Sequence, residues 1–119
     1  MKCTSREQAL RRYGPIDLAS AHWSGQSVWL IMMSIPQGMF PNWHILNYKI
    51  PVTHFACNSD VQAPLMKALQ AVKSNGFEKE LKTFDGCFNI RAVRGSDLVS
   101  THSYGLALDL NASIEPLGS

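Results

Sequence analysis

Two alternations of apolar and polar residues organise the C-terminal third of the chain. In CFNIRAV, residues 87–93, Phe88, Ile90 and Ala92 point one way and Cys87, Asn89 and Arg91 the other. In LALDL, residues 106–110, Leu106, Leu108 and Leu110 oppose Ala107 and Asp109. A period of two is that of a strand with one face on a core. The twelve residues from Arg94 to Gly105 can return the second strand beside the first as its antiparallel neighbour. Arg91, Asn89 and Asp109 would then share a face, with His102 arriving from the connecting loop.

Upstream, the pattern changes. NSDVQAPLMKALQAVKSNG, residues 58–76, carries Leu65, Met66, Leu69 and Val72 at helical spacing. Asn58, Ser59 or Asp60 can cap it, Pro64 is tolerated in its first turn and Gly76 can close it. Its lysines, with those at 79 and 82, read as a solvated face. SVWLIMMSIP, residues 27–36, is a continuous apolar run closed by proline, and THFAC, residues 53–57, is a short mixed one. Both read as strands. Thr4 and Glu7 have capping-box spacing, which predicts a helix running to about Arg12 before Gly14-Pro15 stops it. The prolines and glycines between Pro36 and Pro51 predict irregular chain. Trp23, Trp29 and Trp43 suit a core better than a sugar-binding groove. With no repeat or linker, the order predicts one α+β domain over residues 1–119: a small, mainly antiparallel sheet with helices packed on one side.

Composition narrows the partners. The chain is 45% hydrophobic, enough to bury a core without disulfides, and eleven basic and nine acidic residues give a formal net charge of +2. No basic stripe points to nucleic acid. Cys3, Cys57 and Cys87 are odd in number and contain no CxxC pair, which argues for reduced thiols and against a cysteine zinc knuckle. From Leu18 to Tyr48 there is no Asp, Glu, Lys or Arg, yet no apolar run approaches the roughly twenty residues that span a bilayer. The charged N-terminus lacks the apolar core of a secretory signal, so a cytoplasmic product is expected.

An ionised Asp109 on a half-buried strand needs a partner, and Arg91, backbone N–H groups or a metal ion could each provide one. Histidine and aspartate together suit zinc. By spacing alone the pair reads first as a solvated loop histidine and a strand-end acid paired with Arg91 or capping a turn, since HxxxxxxD is a weak pattern by itself.

The stretch STHSYGLALDLN, residues 100–111, resembles the SxHxxGxAxD motif of the zinc peptidases that include VanY-type D-alanyl-D-alanine carboxypeptidases and phage L-alanyl-D-glutamate endopeptidases. Cys57-Asn58 ahead of a helix and DGCFNIRAVRGSDLVSTHSYGLALDLNAS, residues 85–113, resemble the phage branch, and the similarity is densest over residues 50–118. It implies a D-alanyl-D-alanine peptidase-like fold, zinc held by His102 and Asp109, and Arg91 and Ser100 holding a carboxylate or carbonyl of cell-wall peptide. In that family the metal polarises the scissile carbonyl and activates water while an acidic residue moves the proton. The resemblance also implies that Gly105 and Ala107 are small so that backbone and substrate can approach the metal. A phage or prophage protein reaching the wall through a lysis pore or in a virion is the expected setting.

The family takes its third ligand, a histidine preceded by an acidic residue, from a later segment. Here no histidine follows Asp109, and Glu115 is the only ionisable side chain. Truncation of a longer peptidase, a ligand from a partner chain, or completion by His22, His44 or His54, with His54 first, are the alternatives. Glu115 is the weak candidate for base or ligand. A domain without the base would bind cell-wall peptide without cutting it, or serve as an accessory phage protein.

Overall fold

The computed structural model describes residues 6–45 and 48–111. The predicted capping residue Thr4 and Glu115 lie outside them. The fold is α+β, with the sheet divided into three small pieces. A hairpin pairs β1 (Ile16–Asp17) with β2 (His22–Trp23), and β3 (Leu30–Ser34) pairs antiparallel with β5 (His54–Asn58). The third sheet has the order β4 (His44–Ile45), β6 (Thr83–Gly86), β7 (Asp109–Leu110), parallel between the first two and antiparallel between the last two. Among the described residues, three α-helices accompany them: α1 (Arg6–Tyr13), the short α2 (Gln26–Trp29) and α3 (Ser59–Ser74).

The long helix follows its pattern. Asn58 caps α3 by accepting from the Asp60 N–H at 2.9 Å, Leu69 is buried, and Leu65, Met66 and Val72 pack on the core beside it. Gly76, at φ +76°, closes the helix in the left-handed conformation. Pro64 sits one turn deeper than expected, as the sixth residue of the helix. Its solvent-exposed position keeps the lost hydrogen bond on the wet side.

Three strand predictions are corrected, one of them LALDL, of which only Asp109–Leu110 is strand. Residues 27–29 belong to the α2 turn, so the apolar run becomes a strand only from Leu30. CFNIRAV contains no strand beyond a single bridge from Ala92 to Val99. The reason is local: the Arg91 N–H donates to Ser103 Oγ at 2.9 Å, while the Arg91 carbonyl accepts from that hydroxyl and from the Ser100 N–H. The Ser100 bond belongs to that single bridge, and the Ser103 hydroxyl, by taking the Arg91 N–H, ends the pairing there. The strand that does pair with β7 is β6, whose four residues are too few to show a period. Arg91 and Asp109 therefore do not lie on adjacent strands.

The core has two parts. One gathers Met33, Phe40, Trp43, Phe55, Cys57 and Leu69 between β3–β5, α3 and the 36–52 segment. The other packs Ala9 and Tyr13 of α1 against Trp23 and Tyr104. Trp23 and Trp43 are core residues that donate from Nε1 to the carbonyls of Tyr13 and Thr83. The free cysteines Cys57 and Cys87 are buried too. No described helix is long and apolar enough to cross a membrane.

α1 is tied to the start of α3 by Asp60, whose Oδ2 accepts from Arg12 Nε and Tyr13 Oη, each at 2.7 Å. The Arg12 bond foremost, against the opposing effect of burial and with Tyr13 assisting, holds the Asp60 carboxyl below the usual carboxylate range. A depressed folded pKa gives stability that is complete above the unfolded value of about 3.9 and is lost as pH falls through the folded value. Asp60→Asn is accordingly expected to flatten the acid limb of a melting-temperature profile while changing little at high salt, where this exposed pair is screened. An unchanged acid limb would show that the tie contributes nothing to stability.

Candidate functional site

The SxHxxG stretch is a capped turn. Ser100 Oγ accepts from the His102 N–H at 3.3 Å, residues Thr101–Tyr104 form one 3₁₀ turn, and Gly105 ends it at φ +70°. The turn sits at the junction of β5 and α3. The Asn58 N–H donates to the Gly105 carbonyl at 3.0 Å and Asn58 Nδ2 to the Tyr104 carbonyl at 3.1 Å. Asn58 is fully buried and bonded through side-chain oxygen, side-chain nitrogen and backbone, so one residue caps α3 and fixes the turn. Gly105 has two reasons to be glycine. Its φ is left-handed, and a Cβ there would meet the Asn58 nitrogen at 2.8 Å. The close approach is to Asn58 and Cys57, so the fold itself requires the glycine.

The turn delivers His102 to the start of β7. Its Nδ1 lies 2.7 Å from the Cys87 carbonyl oxygen, and its Nε2 lies 3.2 Å from Asp109 Oδ2. A carbonyl only accepts, so Nδ1 carries a hydrogen and donates. Nε2 then faces the carboxylate either as an imidazolium N–H or as a bare lone pair. In the second case two acceptors confront each other, and a cation between them resolves the arrangement. His102 is nearly enclosed, with 11% of its side chain exposed, whereas Asp109 is 48% exposed, so the gap opens to solvent from the aspartate side.

The donor set fits zinc as far as it goes. Ligands at about 2.0–2.2 Å in a tetrahedral arrangement stand about 3.3–3.5 Å apart, close to the observed separation, and the Nδ1–H to carbonyl bond is the usual orienting contact of a ligating histidine. Among the described residues no third His, Cys, Asp or Glu joins the pair. His54 lies on β5 opposite Ser34, exposed, with Nδ1 beside Thr53 Oγ1; His44 Nδ1 turns to the Asn42 carbonyl, and His22 is exposed on β2. None of the three completes the site.

The two residues expected to hold substrate, Ser100 and Arg91, lie close by in the chain. Ser100 is buried and acts as cap to the histidine turn. Arg91 is half-buried, its backbone held by Ser103 and Ser100 and its Nη1 3.4 Å from the Ala92 carbonyl. Asp109 is paired with His102 and not with Arg91. Cys87 contributes its carbonyl, and its thiol is inert: burial, reinforced by Cys57 and Asp109, pushes it up to about 12. Sequence reasoning did not find the Cys87 carbonyl or Ser103, since a backbone acceptor leaves no residue-type signal and serine at a turn is common.

No family model, curated protein or solved structure matches this chain.

Proposed function

We propose that the protein is a zinc-dependent peptidase-like domain acting on bacterial cell-wall peptide, with His102 and Asp109 as its metal-holding side chains. The supporting observation is the His102 Nε2 to Asp109 Oδ2 approach of 3.2 Å with Nδ1 engaged by a carbonyl. Zinc, when bound, supplies Lewis-acid polarisation of a carbonyl. His102 and Asp109 bind and orient; Ser100 and Ser103 hold the histidine turn and the Arg91 backbone at fixed spacing. Arg91 is the proposed clamp for a peptide carboxylate, a group its planar guanidinium matches bidentately. Hydrolysis of a stem or cross-link peptide, by a phage or prophage protein, is the activity this reading carries.

Binding of wall peptide without cleavage is the second reading. It is favoured by the absence, among the described residues, of a third ligand or an acidic base beside the pair. One experiment separates them. Purified protein loaded with zinc and incubated with peptidoglycan releases new amino termini if it is a peptidase, and sediments with cell walls while releasing none if it is a binding module. Neither sedimentation nor release would end the cell-wall assignment. Arg91→Ala is expected to leave zinc content unchanged and to weaken peptide binding by about tenfold or more, the loss of a charge-assisted contact. Loss of zinc in that variant would reassign Arg91 to the scaffold.

A further inference from the structure

The β3–β5 ribbon has an open edge. The Ile35 N–H donates to the Thr53 carbonyl at 2.8 Å in continuation of the Met33–Phe55 and Ile31–Cys57 register. In an antiparallel ladder that phase turns the backbone groups of Ile31, Met33 and Ile35 toward β5 and those of Met32 and Ser34 away from it. The Asn58 N–H, reaching from the far side of β5 to Gly105, has the same phase. Among the described residues no backbone group pairs with the outward side of Met32 or Ser34, and both residues are exposed, Met32 at 59%.

Strand edges of this kind are normally guarded by charge, proline or a bulge. Here LIMMS carries none of these, and no Asp, Glu, Lys or Arg occurs from Leu18 to Tyr48. We infer that the β3 edge is an interface for a second copy of this chain, joined antiparallel about a two-fold axis at Met32. The register is self-complementary. Met32 faces Met32 of the second copy and the two exchange N–H to carbonyl bonds, while each Ser34 N–H reaches the other copy's Leu30 carbonyl. The Leu30 N–H is already spent on the Gln26 carbonyl, so this register asks of Leu30 only the group it has left. No like charges are opposed, and Met32 side chains meet across the axis as an apolar cross-strand pair. The product is a four-stranded sheet in the order β5–β3–β3–β5. The inference is independent of the metal site.

A strand-edge contact lies at the low end of interface sizes, so assembly reads out on dilution. Sedimentation of the full chain should show mass rising to twice that of one chain with concentration, and Met32→Lys, which places two ammonium groups at the axis, should hold the single-chain mass at the same concentration. In wild type, amide exchange at Met32 and Ser34 should slow as concentration rises while Ile31 and Met33 stay constant, a readout that needs no variant. A single-chain mass up to the solubility limit would overturn the inference, as would unchanged assembly of Met32→Lys. So would slowing at Met32 and Ser34 only when a cell-wall peptide is added, which would make the edge a peptide groove.

Discussion

Gly105→Ala is expected to destabilise the fold by about 2–5 kcal/mol, the sum of a left-handed backbone penalty of about 1–2 and the displacement of packed neighbours at about 1–3. The neighbours are backbone: the Asn58 nitrogen at 2.8 Å and the Cys57 carbon at 3.2 Å from the added atom. Neither can swing aside as a side-chain tip can. Moving them strains the bond from Asn58 to Gly105, the Asn58 cap and the start of α3 together. Gly95→Ala is the control, because Gly95 also has a left-handed φ of +79° but no atom within 4 Å of its would-be Cβ. It should lose only the conformational part, about 1–2 kcal/mol. Urea unfolding of both variants measures the difference, and equal losses would mean that the close approach costs nothing.

His102→Ala and Asp109→Asn are each expected to lower zinc affinity by more than about 100-fold, since even orienting partners of metal ligands commonly account for 10–100-fold. The two variants differ in what else they change. Removing His102 empties a nearly buried site and leaves the Cys87 carbonyl without its donor, at a cost of about 1–3 kcal/mol of folding stability. Asp109 is half-exposed, so Asn there should leave the melting temperature almost unchanged. Asp109→Asn is therefore the decisive variant: competition with a chromogenic chelator should show the metal lost from a protein that is still folded. Zinc held as tightly as in wild type would remove Asp109 from the ligand set. It would leave an imidazolium–carboxylate pair as the account of the 3.2 Å contact.

Periodicity was informative where one element met one continuous surface. α3 shows this best, because its stripe from Leu65 to Val72 lies on the β3–β5 ribbon and its cap is supplied by the adjacent residue. The apolar run ending at Ser34 and the THFAC segment were legible as strands for the same reason, apart from the turn at Gln26–Trp29. Alternation misled at CFNIRAV, where the Ser103 hydroxyl took the Arg91 N–H that a continuing ladder would have used. At LALDL only Asp109–Leu110 is strand, Leu108 and Leu110 pack on one part of the core while Leu106 packs on the other, and the paired neighbour is not the one expected. Thr83–Gly86 fills that place, and its pairing with His44–Ile45 joins residues some forty positions apart by a parallel contact that no local pattern announces.

Residue types alone determined that this chain buries a core without disulfides, that one long amphipathic helix follows a short strand, and that a histidine and an aspartate flank a glycine. Those properties depend on neighbours within a few positions, which sequence records directly. Only tertiary structure decided that the imidazole is aimed by the Cys87 carbonyl, that Asp109 answers His102 instead of Arg91, and that the glycine is demanded by Asn58. Each of these is a contact across the chain, set by which backbone groups remain unpaired once the local elements have formed.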